Sequence, residues 1–224
     1  MFQATMYLKK KLRQVKKMNT LKDLLPSGNL RLDMQLEFTA VIDKMTSIAR
    51  RTLLLDRSRC ENDAEHSWHI AVMALLFAEH AVEKVNVLHA VEMMLVHDLV
   101  EVYAGDTFAY DTAGYADKAE REQAAADKLF STLPDEQHKY IRSLWEEFEA
   151  HTTPDARYAD CLDKIQPFFH NTLTGGHTWI NSTPRPRRHQ VEQRISVCRD
   201  FMPQVYAWAI RNIENAVAQG WLLE

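Results

Sequence analysis

With 224 residues, 46% of them hydrophobic, the chain can bury a core of its own, and its length fits one domain with a terminal extension. A formal net charge of −4 supplies no global positive field for a nucleic-acid backbone or an anionic membrane surface, and no apolar run approaches the ~18 residues of a membrane span. Cys60, Cys161 and Cys198 are odd in number, far apart and outside any CxxC pair, which argues against a disulfide framework and a thiolate zinc site and points to a reducing, cytoplasmic compartment.

The opening stretch MFQATMYLKKKLRQVKK carries charges where a signal peptide needs an apolar centre. Residues 1–30 therefore read as a basic, solvated extension and residues 31–224 as a single folded unit. From LRLDMQLEFTAVIDKM onward, Leu, Met, Ala, Glu and Lys recur at helical spacing, so an all-α fold is expected. Helices are predicted over about 35–50, 63–83, 86–104, 115–132, 135–150, 155–173, 188–198 and 200–218. Asn62 and Glu65 are placed as a capping box for the second of these. YAGDTFAYDTAGY and LTGGHTWINSTPRPRR interrupt the periodicity; the latter reads either as a lid or as an ordinary surface connection.

The helix expected over residues 86–104 is apolar nearly all the way round, yet it holds His97, Asp98 and Glu101. Spacings of i,i+4 and i,i+3 bring all three to one side, and two buried carboxylates together are costly unless a cation or a dense hydrogen-bond network compensates. His66 falls in the first turn of the preceding helix, while His69 reads as a core histidine. In DARYADCLDKIQPFF, Asp160 or Asp163 could complete a metal set, and Pro167 is expected to distort the helix beside Asp163.

In order, His66, then His97-Asp98, then a late aspartate resembles the H…HD…D pattern of HD-domain phosphohydrolases. AEHSWHIAVMA, LVHDLVEVYAGD and ARYADCLDK are similar to the EHS, HDxxE…GD and late LD or AD segments of the bacterial 5′-deoxynucleotidase branch and its HD domain-containing relatives. The resemblance runs from about Arg50 to Thr172. It implies a helical bundle with a metal site between central helices, and His66, His97, Asp98 and Asp163 as ligands, the ARxxxxLD segment selecting Asp163 over Asp160. Such a mixed nitrogen and oxygen set suits Mn²⁺, Co²⁺, Fe²⁺, Zn²⁺ or Ni²⁺.

Further roles follow from the resemblance. Glu101 would orient or deprotonate the attacking water. Asp106 would protonate the leaving 5′-oxygen or, with Glu101 and the Thr107 carbonyl, hold a second hard cation such as Mg²⁺. Arg51 and Arg59 would meet the substrate phosphate, whereas Arg50 and Arg57 read as solvated surface. That branch has tryptophan after the first arginine where this chain has Thr52, a departure that bears on sugar selectivity; some preference for deoxyribonucleotides is still implied. The implied activity is phosphate release from (deoxy)nucleoside 5′-monophosphates, with a small-molecule nucleotide as substrate and a homodimer as the assembly. Two alternatives stay open: another HD-type hydrolase, acting on cyclic diesters or nucleoside triphosphates, and a non-catalytic metal-binding regulatory module. His138 and His151, which could supply extra ligands in a dinuclear relative, read as solvent-facing. The presence of both Glu101 and Asp106 favours catalysis.

Overall fold

The computed structural model describes residues 26–111 and 113–224, so the basic extension expected over residues 1–30 lies outside the described residues through residue 25. Asn29 starts helix α1 (Leu30–Ile42) by accepting from the Arg31 and Leu32 amides, and a 3₁₀ turn over Asp43–Ser47 follows. Strand β1 (Ala49–Leu53) then pairs antiparallel with β2 (Cys60–Asn62), so the first predicted helix ends before residue 49 and a small hairpin fills the segment between the helices expected over 35–50 and 63–83. The turn between them carries a local signature. Asp56 Oδ1 accepts from the Ser58 amide at 2.9 Å and from its hydroxyl at 2.7 Å, and Arg57 adopts φ 62°. Strand β2 runs directly into α2 (Asp63–Phe77) through the expected capping box, with Glu65 N donating to Asn62 Oδ1 at 2.9 Å and Asn62 N to Glu65 Oε2 at 3.1 Å.

The single helix expected over 86–104 is divided. Helix α3 (Val87–Val96) ends at His97, and α4 (Glu101–Ala104) follows after a turn closed by Leu99 N→Val96 O at 3.0 Å and Glu101 N→Asp98 O at 2.9 Å. These i→i−3 bonds bring side chains three apart into line, so Asp98 and Glu101 project together. Gly105, at φ 77°, ends α4 and turns the chain toward Asp106.

Helices α5 (Lys118–Phe130), α6 (Asp135–Ala150) and α7 (Pro154–Leu173) follow. Thr153 caps α7, which passes through Pro167 without ending. Where LTGGHTWINSTPRPRR was read as irregular, a short helix α8 (His177–Ile180) forms, anchored by Trp179, which is 2% exposed and packs on Phe168 at 5.7 Å between ring centroids. Helices α9 (Arg188–Ile195) and α10 (Pro203–Ala218) complete the fold. The chain end is pinned to the start of α9 by Arg188 N→Leu223 O at 2.7 Å.

Helices α2, α3 and α7 meet at the centre, where Ile70, Ala74, Met93, Met94, Tyr158 and Leu162 are fully buried. Each large apolar side chain among them stabilises the bundle by ~1.5–3 kcal/mol. Tyr158 buries its hydroxyl without penalty by donating to the Ala74 carbonyl at 2.8 Å. No helix among the described residues is long and apolar enough to cross a membrane.

Candidate metal centre

Three elements converge at one buried point. His66 comes from the first turn of α2, His97 and Asp98 from the break after α3, and Asp163 from the middle of α7. His66 Nε2 lies 2.9 Å from Asp163 Oδ1, and His97 Nε2 lies 3.1 Å from Asp98 Oδ2 and 3.7 Å from Asp163 Oδ1. The ligand atoms of His66, His97 and Asp98 all fall within 4.8 Å of one another.

The partners of the other ring nitrogens decide what these contacts can be. His97 Nδ1 is 2.9 Å from the Met94 carbonyl, which only accepts, so Nδ1 carries the proton. His66 Nδ1 is 2.9 Å from Gln166 Oε1, and that amide is oriented by Nε2 donating to Glu61 Oε2 at 2.8 Å, so His66 is also protonated at Nδ1. In the neutral rings both Nε2 lone pairs therefore face carboxylate oxygens, and only a proton or a metal cation makes that arrangement favourable. Within the protein alone, burial together with the Arg50 charge lowers His66 to about 4. Burial opposes a charge on His97 as well, but the Asp98 and Asp163 carboxylates outweigh it and raise that ring to about 10. A divalent cation answers the same electrostatic demand.

Two residues that hold this arrangement escaped the sequence reading. Arg50, expected on the solvated surface, is half-buried and turned inward: its Nη1 donates to Asp98 Oδ2 at 2.8 Å and lies 3.5 Å from Asp63 Oδ1. The physical reason is the β-hairpin, which turns this side chain inward toward carboxylates that would otherwise be uncompensated. Gln166, one turn beyond Asp163, fixes His66, and nothing in its residue type signals that role. Lys164 Nζ joins Asp163 Oδ2 at 2.5 Å and Asp160 Oδ1 at 3.0 Å.

A second group lies alongside. Ligand atoms of Asp63, Glu101 and Asp106 also fall within 4.8 Å of one another. Asp63 Oδ2 and Glu101 Oε2 are buried without a hydrogen-bond partner. Burial first, then the Asp98 and Asp63 charges, push Glu101 up to about 12; burial and Asp98 push Asp63 up to about 7. A bound cation would reverse both shifts. Asp63 is the member not anticipated from the spacing of Glu101 and Asp106.

Arg51 and Arg59 separate. Arg51 lines a small cavity of about 60 Å³ together with Asp106, Phe108, Lys164, Trp179 and Arg194, and stacks on Phe108 at 4.4 Å. Arg59 instead lies on the surface with its guanidinium on Glu65, at 2.8 Å between Nη1 and Oε2. His69 is half-buried rather than in the core, its Nδ1 3.2 Å from Gln166 Nε2. His151 is exposed, 3.8 Å from Asp160, and His138 is half-buried on α6. A larger, mainly apolar cavity of about 550 Å³, lined by Met73, Phe77, Phe169 and Trp208 among others, contains none of these carboxylates.

The chain is 28% identical over 132 residues to a Xenopus laevis protein named 5′-deoxynucleotidase HDDC2, and 26% identical over 132 residues to its Homo sapiens namesake. These alignments cover 58% of this chain and 64% and 63% of the relatives, so the chain spans just under two thirds of their length. A crystal structure from Magnetospirillum magnetotacticum, titled as a predicted metal-dependent phosphohydrolase, is 45% identical with a TM-score of 0.80, over 90% of this chain and 100% of that one. A Pyrococcus horikoshii structure shares the fold at 17% identity and a TM-score of 0.56, over 79% of this chain and 99% of that one. The HD domain family profile matches residues 42–204, a span that takes in both histidines, both aspartates and the elements that bring them together, and the chain belongs to the HD-domain family.

Proposed function

We propose that the chain is a metal-dependent phosphohydrolase that releases phosphate from (deoxy)nucleoside 5′-monophosphates, with residues 31–224 as its catalytic domain and His66, His97, Asp98 and Asp163 as metal ligands. The observation that carries this reading is the pair of imidazoles whose Nδ1–H groups are committed and whose Nε2 atoms face Asp98 and Asp163. The names carried by the relatives, and the structure that is 45% identical, support the same class.

Phosphate monoester hydrolysis needs an acceleration of up to ~10²¹-fold, so an activated water and strong charge stabilisation are both required. A bound Mn²⁺, Co²⁺, Fe²⁺, Zn²⁺ or Ni²⁺ supplies Lewis-acid charge and makes a water acidic near neutral pH. Glu101, once ionised, accepts the proton of the attacking water. Asp106, on the far side of Gly105, donates to the leaving 5′-oxygen or, with Asp63 and Glu101, holds a second hard cation such as Mg²⁺; the unpartnered oxygens of Asp63 and Glu101 support the latter role. Arg51 presents its guanidinium to the substrate phosphate. Arg59 is assigned instead to bracing the start of α2 through Glu65.

Exposed Trp68, Val72, Leu75 and Leu76 on α2, with Leu88 and Leu95 on the neighbouring α3, support a homodimer contact. The three unbridged cysteines are consistent with a cytoplasmic setting. The test is phosphate release by metal-free protein from a panel of ribo- and deoxyribonucleoside 5′-monophosphates, with each metal restored in turn. Metal-dependent turnover is expected. Silence on the panel with metal bound, or release of pyrophosphate or triphosphate from nucleoside triphosphates, would overturn the monophosphatase assignment.

A further inference from the structure

The cavity beside the metal centre is lined by four cationic side chains, Arg50, Arg51, Lys164 and Arg194. Two of them are spent. Arg50 is held by Asp98, with Asp63 and Glu61 nearby, and Lys164 lies between Asp163 and Asp160. Arg51 and Arg194 have no ion pair among the described residues, and the carboxylate that shares the cavity wall with them is Asp106. Arg194 stands in the last turn of α9, between Val191 and Ile195, which are each 1% exposed and line the same cavity. Its helix is therefore fixed by packing, and its half-buried guanidinium is delivered to the pocket by a rigid element. It shares the cavity wall with Asp106, Tyr110 and Lys164.

We propose that Arg194 is the second arm of an anion clamp, closing with Arg51 from the opposite chain segment on the phosphate group of the substrate. This rests on the phosphohydrolase reading of the pocket. Two guanidinium groups with no ion pair among the described residues, lining one concavity beside the candidate metal centre, suit a dianionic phosphate, to which each can offer a fork of parallel donors. Helix α9 would thereby become part of the substrate site, and residues near the chain end would contribute to the specificity of a centre built from residues 50–166.

The test is calorimetric titration of inorganic phosphate into the full-length, Mn²⁺-loaded protein. Arg194→Gln is expected to weaken phosphate binding by about tenfold or more, Arg194→Lys by at least about threefold, both with unchanged Mn²⁺ affinity. Arg211→Gln, which removes the same charge from the exposed face of α10, is expected to leave phosphate affinity unchanged. Phosphate affinity of Arg194→Gln within twofold of the parent overturns the clamp. So does an equal loss in Arg211→Gln, or absence of phosphate binding by the parent. Should Arg194→Gln fail to fold, the lysine variant carries the comparison, and parent-like affinity in it overturns the clamp. Because binding is read without turnover, a parent that shows the Arg194 effect yet hydrolyses no monophosphate overturns the activity and leaves the clamp. Metal-dependent turnover with no Arg194 effect does the reverse.

Discussion

Arg50→Met removes a positive charge from among three carboxylates while keeping much of the side chain's apolar length. The Arg50 side chain is 11% exposed, with Nη1 2.8 Å from Asp98 and 3.5 Å from Asp63, and Nε 3.5 Å from Glu61. At an effective dielectric constant of about 20, a unit charge pair attracts by ~6 kcal/mol at 2.8 Å and ~5 kcal/mol at 3.5 Å. Relief of the arginine's own desolvation offsets part of that, and stranding buried carboxylates costs ~3–5 kcal/mol net. The cost depends on pH with a definite sign. Burial holds Glu61 and Asp63 up at about 7, so near pH 5.5 both are largely protonated and Arg50 mainly serves Asp98. Asp98 is half-buried; the desolvation that would raise it is outweighed by the His97 and Arg50 charges, which hold it below its ordinary value, so it is charged throughout that range. Without Arg50, Glu61 and Asp63 rise further, and the variant loses stability relative to the parent as pH climbs through 7. Urea unfolding in the presence of a chelator should therefore show a deficit of ~3–5 kcal/mol at pH 8 and a smaller one at pH 5.5. A deficit under ~1 kcal/mol, or one that does not grow between the two pH values, would refute the reasoning.

Gln166→Leu deletes the acceptor for His66 Nδ1–H and the donor to Glu61, and Mn²⁺ affinity measured by calorimetry should fall ~10–100-fold; unchanged affinity would dismiss the fixed-tautomer account. Glu101→Gln should keep the ion at the His66, His97, Asp98 and Asp163 set while lowering kcat by ~10²–10⁴, and parent-like kcat would remove Glu101 from proton transfer. His89 on α3 is raised above its ordinary value chiefly by its contact with Glu147 on α6, at 2.8 Å. Its contribution is present below the unfolded value of ~6.5 and fades as pH rises through the higher folded value, so the stability gap between the parent and His89→Gln should be larger at pH 6 than at pH 9. A gap that widens with pH would contradict the assignment.

How much of the site was legible in the sequence depended on how local each signal was. His97, Asp98 and Glu101 stand out because ionisable residues interrupt an apolar helix, but the helix is broken at His97, and the structure divides the three, grouping His97 and Asp98 with His66 and Glu101 with Asp63 and Asp106. The capping box is equally local and appears as expected. Arg50 was lost because its neighbours Ala49, Arg51 and Thr52 give no periodicity from which an inward face could be read, and because a three-residue partner strand leaves little trace. Gln166 carries no charge, and Arg194 lies in a polar helix whose partners are remote in sequence. By itself the sequence determined the helical class, which follows from residue type and short spacing, and offered His66, His97-Asp98 and a late aspartate, Asp160 or Asp163, as candidate donors in that order along the chain. Only the tertiary structure decided which charges meet: Arg50 and Asp98 are 48 residues apart and His66 and Asp163 are 97, and only packing of α2, α3 and α7 around one core brings groups so distant within hydrogen-bonding range.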